Sequence, residues 1–421
     1  EIREFFEKEY KVIVKPQNIF PNIEGNVKNL LENIDERGVL EEISEILLLE
    51  EIYDRDITVL SGGELQRVAI AATYLKEGDV YIFDEPLSFL DYKHRVGFLS
   101  VVESLLKEGK SVMIAEHDLP FLDYLCDYVH IFYGVSGVYG VVSVPYSTRV
   151  GINMFLSGYL KEENVRFRDR IDFKAGYEHD IEKLEYTSIP KFEIEYPCFK
   201  LENPNIIRLF ETEIIGVVGQ NGIGKSTFLR GVAEKLGIDI YKPQDPYIEF
   251  DGLVCEFIER YCNSSFSNTY IKAMDMERFL YRNMRTLSGG EQQKIAIMYV
   301  LSKELELYIL DEPSAMLDVE ARFKVLKQIR KRSHETKKGV IIVDHDIEFL
   351  EKVVDRVIII DGIPGKYGKV GQPLDKDEGL NKFLESYGIT YRRDEDTRRL
   401  RLNKRGSRRD RQQKRSGEFL R

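Results

Sequence analysis

A set of short motifs occurs twice in this chain at one long spacing, and this repeat constrains the fold more than any other feature. Leu60-Ser61-Gly62-Gly63-Glu64 recurs as Leu287-Ser288-Gly289-Gly290-Glu291, and Asp84-Glu85-Pro86 recurs as Asp311-Glu312-Pro313. Lys15-Pro16-Gln17 returns as Lys242-Pro243-Gln244, Leu90-Asp91 as Leu317-Asp318, and His117-Asp118 as His345-Asp346. The offset holds at about 227 residues throughout. A period this long is a whole domain rather than a structural repeat unit, so the chain reads as two copies of one nucleotide-binding domain. One element is not duplicated. Gly219-Gln220-Asn221-Gly222-Ile223-Gly224-Lys225-Ser226, followed by Thr227, has no partner in the first half. Its equivalent would fall before Glu1, and the expectation is that the N-terminal part of the first copy is missing from this sequence.

The bulk properties narrow the class. At 421 residues the chain can build two or three domains with real cores. Its four cysteines are scattered, and the nearest pair, Cys255 and Cys262, matches no usual zinc or iron–sulfur spacing. Reduced thiols in a cytoplasmic protein are the expectation. The most apolar stretch, Val129 to Val144, is short and broken by glycine and serine, so no membrane span is expected and a membrane role would need a separate chain. The net charge of −11 is uneven: residues 391–421 carry thirteen Lys and Arg against five Asp and Glu, which leaves −19 on the remainder. A basic tail on an acidic body suits contact with nucleic acid or an acidic surface; a solvated, partly disordered extension is the competing reading.

Each half presents the same order of events. Val80 to Phe83 and Leu307 to Leu310 are apolar runs that enter an Asp-Glu pair, and Ser111 to Ile114 and Val340 to Val343 enter the histidine. Continuous apolar runs alternating with helical stretches predict buried parallel strands in an α/β fold. Glu213 to Val218 is the strand that feeds the phosphate loop, and Lys225 onward is the helix the loop opens. The halves also share glycine-rich strings. Gly134-Val135-Ser136-Gly137-Val138-Tyr139-Gly140 matches Gly362-Ile363-Pro364-Gly365-Lys366-Tyr367-Gly368, and Gly151 to Leu156 matches Gly379 to Leu384. Glycines at turns and a Phe-Leu anchor predict ordered hinges. The expected division is a first ATPase domain over 1–133, incomplete at its N-terminus, a hinge over 134–185, a second ATPase domain over 186–360, and a second hinge with the basic tail over 361–421.

The candidate chemistry follows from the motifs. Gly219, Asn221, Gly222 and Gly224 let backbone N–H groups wrap a phosphate at a helix N-terminus, Lys225 reaches the β- and γ-phosphates, and Ser226 can hold Mg²⁺. Asp311 is the candidate Mg²⁺ carboxylate and Glu312 the group that activates the attacking water. Gln244 completes the metal and water contacts, and His345 reaches the γ-phosphate. The Ser-Gly-Gly-Glu motif offers a hydroxyl and N–H groups at a helix start, which can close over a phosphate held by another domain. Adenine stacking needs an aromatic upstream of the loop: Tyr186 is the candidate, with Phe192 and Tyr196 as competitors.

Together these motifs resemble the ATP-binding-cassette ATPases. The resemblance implies two P-loop NTPase cassettes arranged head to tail, with each ATP held between the phosphate loop of one and the Ser-Gly-Gly-Glu of the other. One composite site is then complete within the chain: Gly219 to Thr227, Gln244, Asp311, Glu312 and His345 joined to Ser61, Gly62, Gly63 and Glu64, with Asp91 across the interface. The other has Gln17, Asp84, Glu85, His117, Ser288, Gly289, Gly290, Glu291 and Asp318 but no phosphate loop. Within the superfamily, Phe83-Asp84-Glu85-Pro86, Glu116-His117-Asp118-Leu119, the hinge string from Tyr133 to Gly140 and Val165-Arg166-Phe167-Arg168 resemble the E subfamily, also called the RNase L inhibitor family. What this resemblance implies is an ATPase that splits ribosomes and stays on the small subunit, in contact with ribosomal RNA, a release-factor-like protein and initiation factors. It also implies an N-terminal domain with two iron–sulfur clusters and an insert in cassette one; neither the cluster domain nor the first phosphate loop is present here, and Glu1–Tyr10 would be the last piece of the insert. The best candidates for RNA contact are Arg149, Arg166, Arg168 and the tail from Arg392 to Arg415. Alternatives are a transport ATPase subunit, an F-subfamily translation factor, which would carry a long charged helical linker in place of this glycine-rich junction, or a catalytically impaired binding module.

Overall fold

The computed structural model describes residues 10–19, 24–135, 138–171 and 184–421. All of the expected insert remnant at Glu1–Tyr10 except Tyr10, and the residues Ser136 and Gly137 of the first glycine string, lie outside the described residues. Contacts divide the chain into two compact units, Glu1–Asp127 and Tyr128–Arg421.

The first unit contains β1 (Val12–Lys15), α1 (Val27–Ile34), α2 (Leu40–Leu47), α3 (Gly62–Tyr74), β2 (Val80–Asp84), α4 (Tyr92–Lys107), β3 (Ser111–Ala115) and α5 (Leu119–Leu125). The strands form a parallel sheet in the order β1-β2-β3, with Lys15 beside Phe83 and Asp84 beside Ala115. Several repeated motif residues are helix caps. Ser61 and Glu64 form a capping box at the start of α3, Asp91 caps α4 by accepting from the His94 N–H, and Asp118 caps α5 by accepting from Phe121. Such caps satisfy backbone donors left open by the first turn, each worth about 1 kcal/mol.

The second unit opens with a small module: β4 (Tyr128–Val129), β5 (Phe132–Val135), β6 (Tyr139–Val142), β7 (Tyr146–Ser147), α6 (Thr148–Ser157), β8 (Tyr159–Leu160) and β9 (Val165–Arg166). Then come β10 (Glu185–Ile189), β11 (Phe192–Tyr196), β12 (Phe199–Asn203), β13 (Ile207–Phe210), β14 (Ile214–Val218) and α7 (Lys225–Leu236). The helical part comprises α8 (Val254–Tyr261), α9 (Ser264–Ala273) and α10 (Gly289–Leu301). It is followed by β15 (Leu307–Asp311), α11 (Val319–Thr336), β16 (Gly339–Val343), α12 (Ile347–Val353), β17 (Arg356–Ile363), β18 (Tyr367–Val370), β19 (Leu374–Asp375) and α13 (Lys376–Glu385). The C-terminal segment forms β20 (Tyr391–Arg393), β21 (Leu400–Leu402) and α14 (Arg408–Ser416).

An eight-stranded sheet runs β11-β12-β18-β17-β14-β16-β15, with β19 beside β17. Strands β14, β15 and β16 are parallel and wholly buried, as their unbroken apolar runs predict. Phe228, Leu229 and Val232 of α7 pack with Val217, Ile309, Ile341 and Ile358 in the main core.

The glycine strings differ from expectation in their surroundings. β17 runs without a break through the boundary expected at Asp361, because Ile360 to Ile363 pair with β18 and β18 pairs in turn with β12. The second string is therefore a hairpin inside the sheet. The repeated Gly151 and Gly379 have one physical cause: each lets a helix press on a strand. A Cβ would come within 2.3 Å of Val129 at Gly151 and within 2.6 Å of Val357 at Gly379.

The basic tail is folded, not a solvated extension. Phe419 and Leu420 are buried, Thr390 donates to Asp410, the Gln413 amide donates to the Tyr391 carbonyl, and Arg393 pairs with Glu351. Exposed cations remain on α14 at Arg408, Arg409, Arg411 and Arg415. Arg168 is a second correction. Its side chain is only 10% exposed, stacks 3.9 Å from the Phe155 ring and lies 3.8 Å from Glu320, so it is held in the module rather than offered to RNA. Arg149 pairs with Asp396 at 3.1 Å, while Arg166 is exposed.

Candidate nucleotide site

Register places the second-half motifs at one end of the sheet. Val217 lies beside Val343 and Val343 beside Asp311, so the phosphate loop, the Asp-Glu pair and His345 all follow the carboxyl ends of adjacent parallel strands. Ligands of open α/β sheets bind at that edge. Within the loop Gly222 and Gly224 have φ of +73° and +100°. The Lys225 ammonium donates to the carbonyls of Gly219 (3.0 Å) and Gln220 (2.9 Å) and more distantly to the Asn221 Oδ1. Ser226 donates to the carboxylate of Asp311.

Asp311 is 2% exposed, and its Oδ1 has no hydrogen-bond partner. Burial raises its carboxyl to about 6, against the downward pull of the Ser226 hydroxyl. A buried, partly unsatisfied carboxylate beside a serine hydroxyl and a phosphate loop fits a hard divalent cation.

Glu312 has φ of +49° and turns its carboxylate onto the Gln244 Nε2 at 3.0 Å and the His345 Nε2 at 3.4 Å. Burial opposes its ionisation, but the close approach of the His345 ring and the nearby charges of Lys225 and Lys242 prevail and hold the carboxyl down to about 2. The first unit repeats this arrangement. Glu85 has φ of +44° and receives the Gln17 Nε2 at 2.8 Å, with the His117 Nε2 at 3.7 Å. Thus Gln244, Asp311, Glu312, His345 and the loop residues Gly219 to Thr227 gather in the second unit, and Gln17, Asp84, Glu85 and His117 gather in the first.

The Ser-Gly-Gly-Glu motifs open α3 and α10 at exposed positions. The Ser61 hydroxyl donates to Glu64 at 2.9 Å, and Glu64 also binds Arg55. Ser288 and Glu291 form the same capping box over Gly289 and Gly290, with Arg282 on Glu291. Asp91 is 2% exposed and Asp318 is exposed; both serve as helix N-caps.

Tyr186 is corrected as an adenine-stacking candidate. Its hydroxyl accepts from the Gly339 N–H at 2.9 Å, at the start of β16. That is about 13 Å along the strand from the edge where the phosphate loop lies. Burial raises its hydroxyl to about 12. The residue lay in a run of aromatics that sequence spacing could not orient. Phe192 is a core residue stacked on Phe228, whereas Tyr196 is 41% exposed and its hydroxyl accepts from Arg230 of α7. Phe199, not singled out by sequence reasoning, lies directly against Gly224 of the loop.

Two further pairs were missed. Lys242, Lys15 and Gln293 are completely buried and Gln66 nearly so; all four touch backbone carbonyls of the Asp-Glu pairs. The repeated Lys-Pro-Gln string was the available signal for the lysines.

One phosphate loop, with Gln, Asp-Glu and histidine groups arranged alike in both units, defines the class: this is an α/β P-loop ATPase of the ATP-binding-cassette type. The ABC transporter family model matches residues 1–88 and 259–315. An uncharacterized ABC transporter ATP-binding protein of Methanocaldococcus jannaschii is 44% identical over 100% of this chain and 73% of its own length. A solved RNase-L inhibitor is 42% identical with a TM-score of 0.90, covering 100% of this chain and 86% of that one. ABCE1 in a model of ribosome-bound archaeal Pelota and ABCE1 is also 42% identical, with a TM-score of 0.91, covering 99% and 74%. The chain belongs to the RNase L inhibitor family, the E family of ATP-binding-cassette ATPases. ATP and Mg²⁺ are the cofactors of this class. No helix among the described residues is long and apolar enough to cross a membrane.

Proposed function

We propose that this chain is an ATP-driven ribosome-recycling factor in which closure of two cassettes on ATP separates the ribosomal subunits. The observation that carries the reading is the match to ribosome-bound ABCE1 over 99% of the chain, which takes in the glycine strings and the folded basic tail as well as the nucleotide motifs. The partners in this reading are the small ribosomal subunit with its RNA, a release-factor-like protein of the Pelota kind and initiation factors, in the cytoplasm. Among the described residues no group of three or more His, Cys, Asp or Glu side chains is set to hold a metal.

In this reading Gly219 to Thr227 bind the phosphates through backbone N–H groups, and Lys225 exchanges its loop carbonyls for the β- and γ-phosphate oxygens. Ser226, Asp311 and Gln244 would hold Mg²⁺, which when bound neutralises developing charge on the phosphates. Glu312 orients the attacking water together with Gln244. A carboxylate held near 2 is a weak base, but phosphoryl transfer is loose and depends mainly on position and electrostatics, so orientation is the larger part of its task. His345 contacts the γ-phosphate. Ser61, Gly62, Gly63 and Glu64, with Asp91, would close the same nucleotide from the other cassette. Gln17, Asp84, Glu85 and His117, with Ser288, Gly289, Gly290, Glu291 and Asp318, belong to the second composite site.

Ribosomes incubated with the protein, ATP and a release-factor-like protein, then sedimented through sucrose, test this reading. The expected result is ATP-dependent conversion to subunits, with Glu312→Gln retained on the small subunit but inactive in turnover. Absence of both binding and splitting, with ATPase activity intact, would assign the ATPase to another assembly.

A further inference from the structure

The carboxylate of Glu312 depends on a backbone conformation that something must hold. At φ of +49° Glu312 lies in the left-handed region, as does Glu85 at +44°. Residues with a side chain enter that region at a cost and remain there when their surroundings over-determine it. The surroundings here are specific. The Lys242 ammonium donates to the Asp311 carbonyl at 2.5 Å, the Glu312 carbonyl at 3.2 Å and the Gln244 carbonyl at 3.3 Å. Its three N–H donors thus have three carbonyl acceptors, in a side chain with no exposure. The Glu312 carbonyl takes a second donor, the Gln293 Nε2, at 2.6 Å.

The first unit contains the same clamp. Lys15 donates to the Asp84 carbonyl at 2.8 Å and the Glu85 carbonyl at 3.3 Å, and the Gln66 Nε2 donates to the Glu85 carbonyl at 2.7 Å. Burying an ammonium among carbonyls gains little stability over an apolar side chain of similar volume, so packing alone does not account for its use twice. The clamp also joins three elements. Lys242 precedes Gln244, whose amide contacts the Glu312 carboxylate. Gln293 lies in α10, the helix that Ser288 to Gly290 open.

We propose that Lys242 and Gln293 are positioning residues for Glu312: they pin its carbonyl from two sides, fix the left-handed turn and so aim its carboxylate at Gln244 and His345. Because Gln293 rides on α10, movement of the Ser-Gly-Gly-Glu motif at the head of that helix acts on Glu312 of the same cassette. This inference rests on the reading of Glu312 as the water-orienting group.

The test is a double-mutant cycle on the whole chain, read as ATP affinity and as single-turnover hydrolysis. Lys242→Met should lower the hydrolysis rate about tenfold or more, the scale of a misplaced catalytic group, while ATP affinity stays within about twofold. In a Glu312→Gln background the same substitution should cost nothing further, because it acts through Glu312. Gln293→Met, which leaves no buried vacancy of charge, should behave alike and serves if Lys242→Met does not fold. An equal loss in both backgrounds, an unchanged rate, or a loss confined to ATP affinity overturns the clamp. Full turnover by Glu312→Gln alone would instead remove the role of Glu312 and leave the clamp without a target.

Discussion

Asp311 should make the metal-free protein less stable than it could be. Its carboxyl is 2% exposed, has one oxygen without a partner and is pushed from 3.8 to about 6 by burial. The folded protein therefore holds this proton more tightly than the unfolded chain does. The penalty for ionising Asp311 is absent below pH 3.8, grows as pH rises towards 6 and is constant above it. At about 1.4 kcal/mol per pH unit, it reaches about 3 kcal/mol at neutral pH. Asp311→Asn keeps the shape and an oxygen for the Ser226 hydroxyl but removes the charge. In EDTA at pH 7.5 it should raise the melting temperature of the second unit by about 5–10 °C. The gap should narrow on going to pH 4.5. With ATP and Mg²⁺ only the wild type should gain stability through ligand binding, and the variant should lose hydrolysis. Calorimetry or circular dichroism across this pH range decides the matter. A variant no more stable at pH 7.5, or a gap that does not change with pH, would refute the argument that burial of this charge dominates.

Lys225→Ala should abolish most ATP binding by this chain, since the other half contributes no phosphate loop here; equilibrium binding of labelled ATP checks it. Ser61→Arg should lower turnover at the second-half site at least about tenfold while Lys225-dependent binding persists, because Ser61 is exposed at a helix start and would meet the γ-phosphate only in a head-to-tail composite; steady-state hydrolysis beside binding tests it, and normal turnover would exclude that composite. Replacing Arg408, Arg409, Arg411 and Arg415 by Gln should flatten the salt dependence of small-subunit binding by a log–log slope of about 3, without changing ATP affinity, as read by sedimentation at several salt concentrations. Deleting the whole tail is a poorer test, because Phe419, Leu420 and Gln413 are part of the fold.

The duplicated motifs and their apolar runs determined a great deal by themselves. Parallel buried strands, the strand–loop–helix at Lys225 and the convergence of Gln244, Glu312 and His345 were all readable, because each depends on local pattern and on the rule that such sites gather at strand ends. The capping role of Ser61, Asp91 and Asp318 was not drawn from the sequence and came from the structure. What only the tertiary structure decided was which side chains face which. Tyr186 and Tyr196 are alike in sequence, yet one packs at the start of β16 and the other is half exposed beside α7, because the order of β10 to β13 sets their direction. The sequence left a solvated, partly disordered tail as the competing reading; two buried side chains and a set of buried hydrogen bonds show that the tail is folded. Arg168 looked free for RNA until Phe155 and Glu320, far apart in sequence, were placed around it. Lys242 was visible as part of a repeated string, but its task was not. A buried ammonium is defined by the carbonyls it meets, and those are brought to it by strand pairing and a left-handed turn nearly seventy residues away.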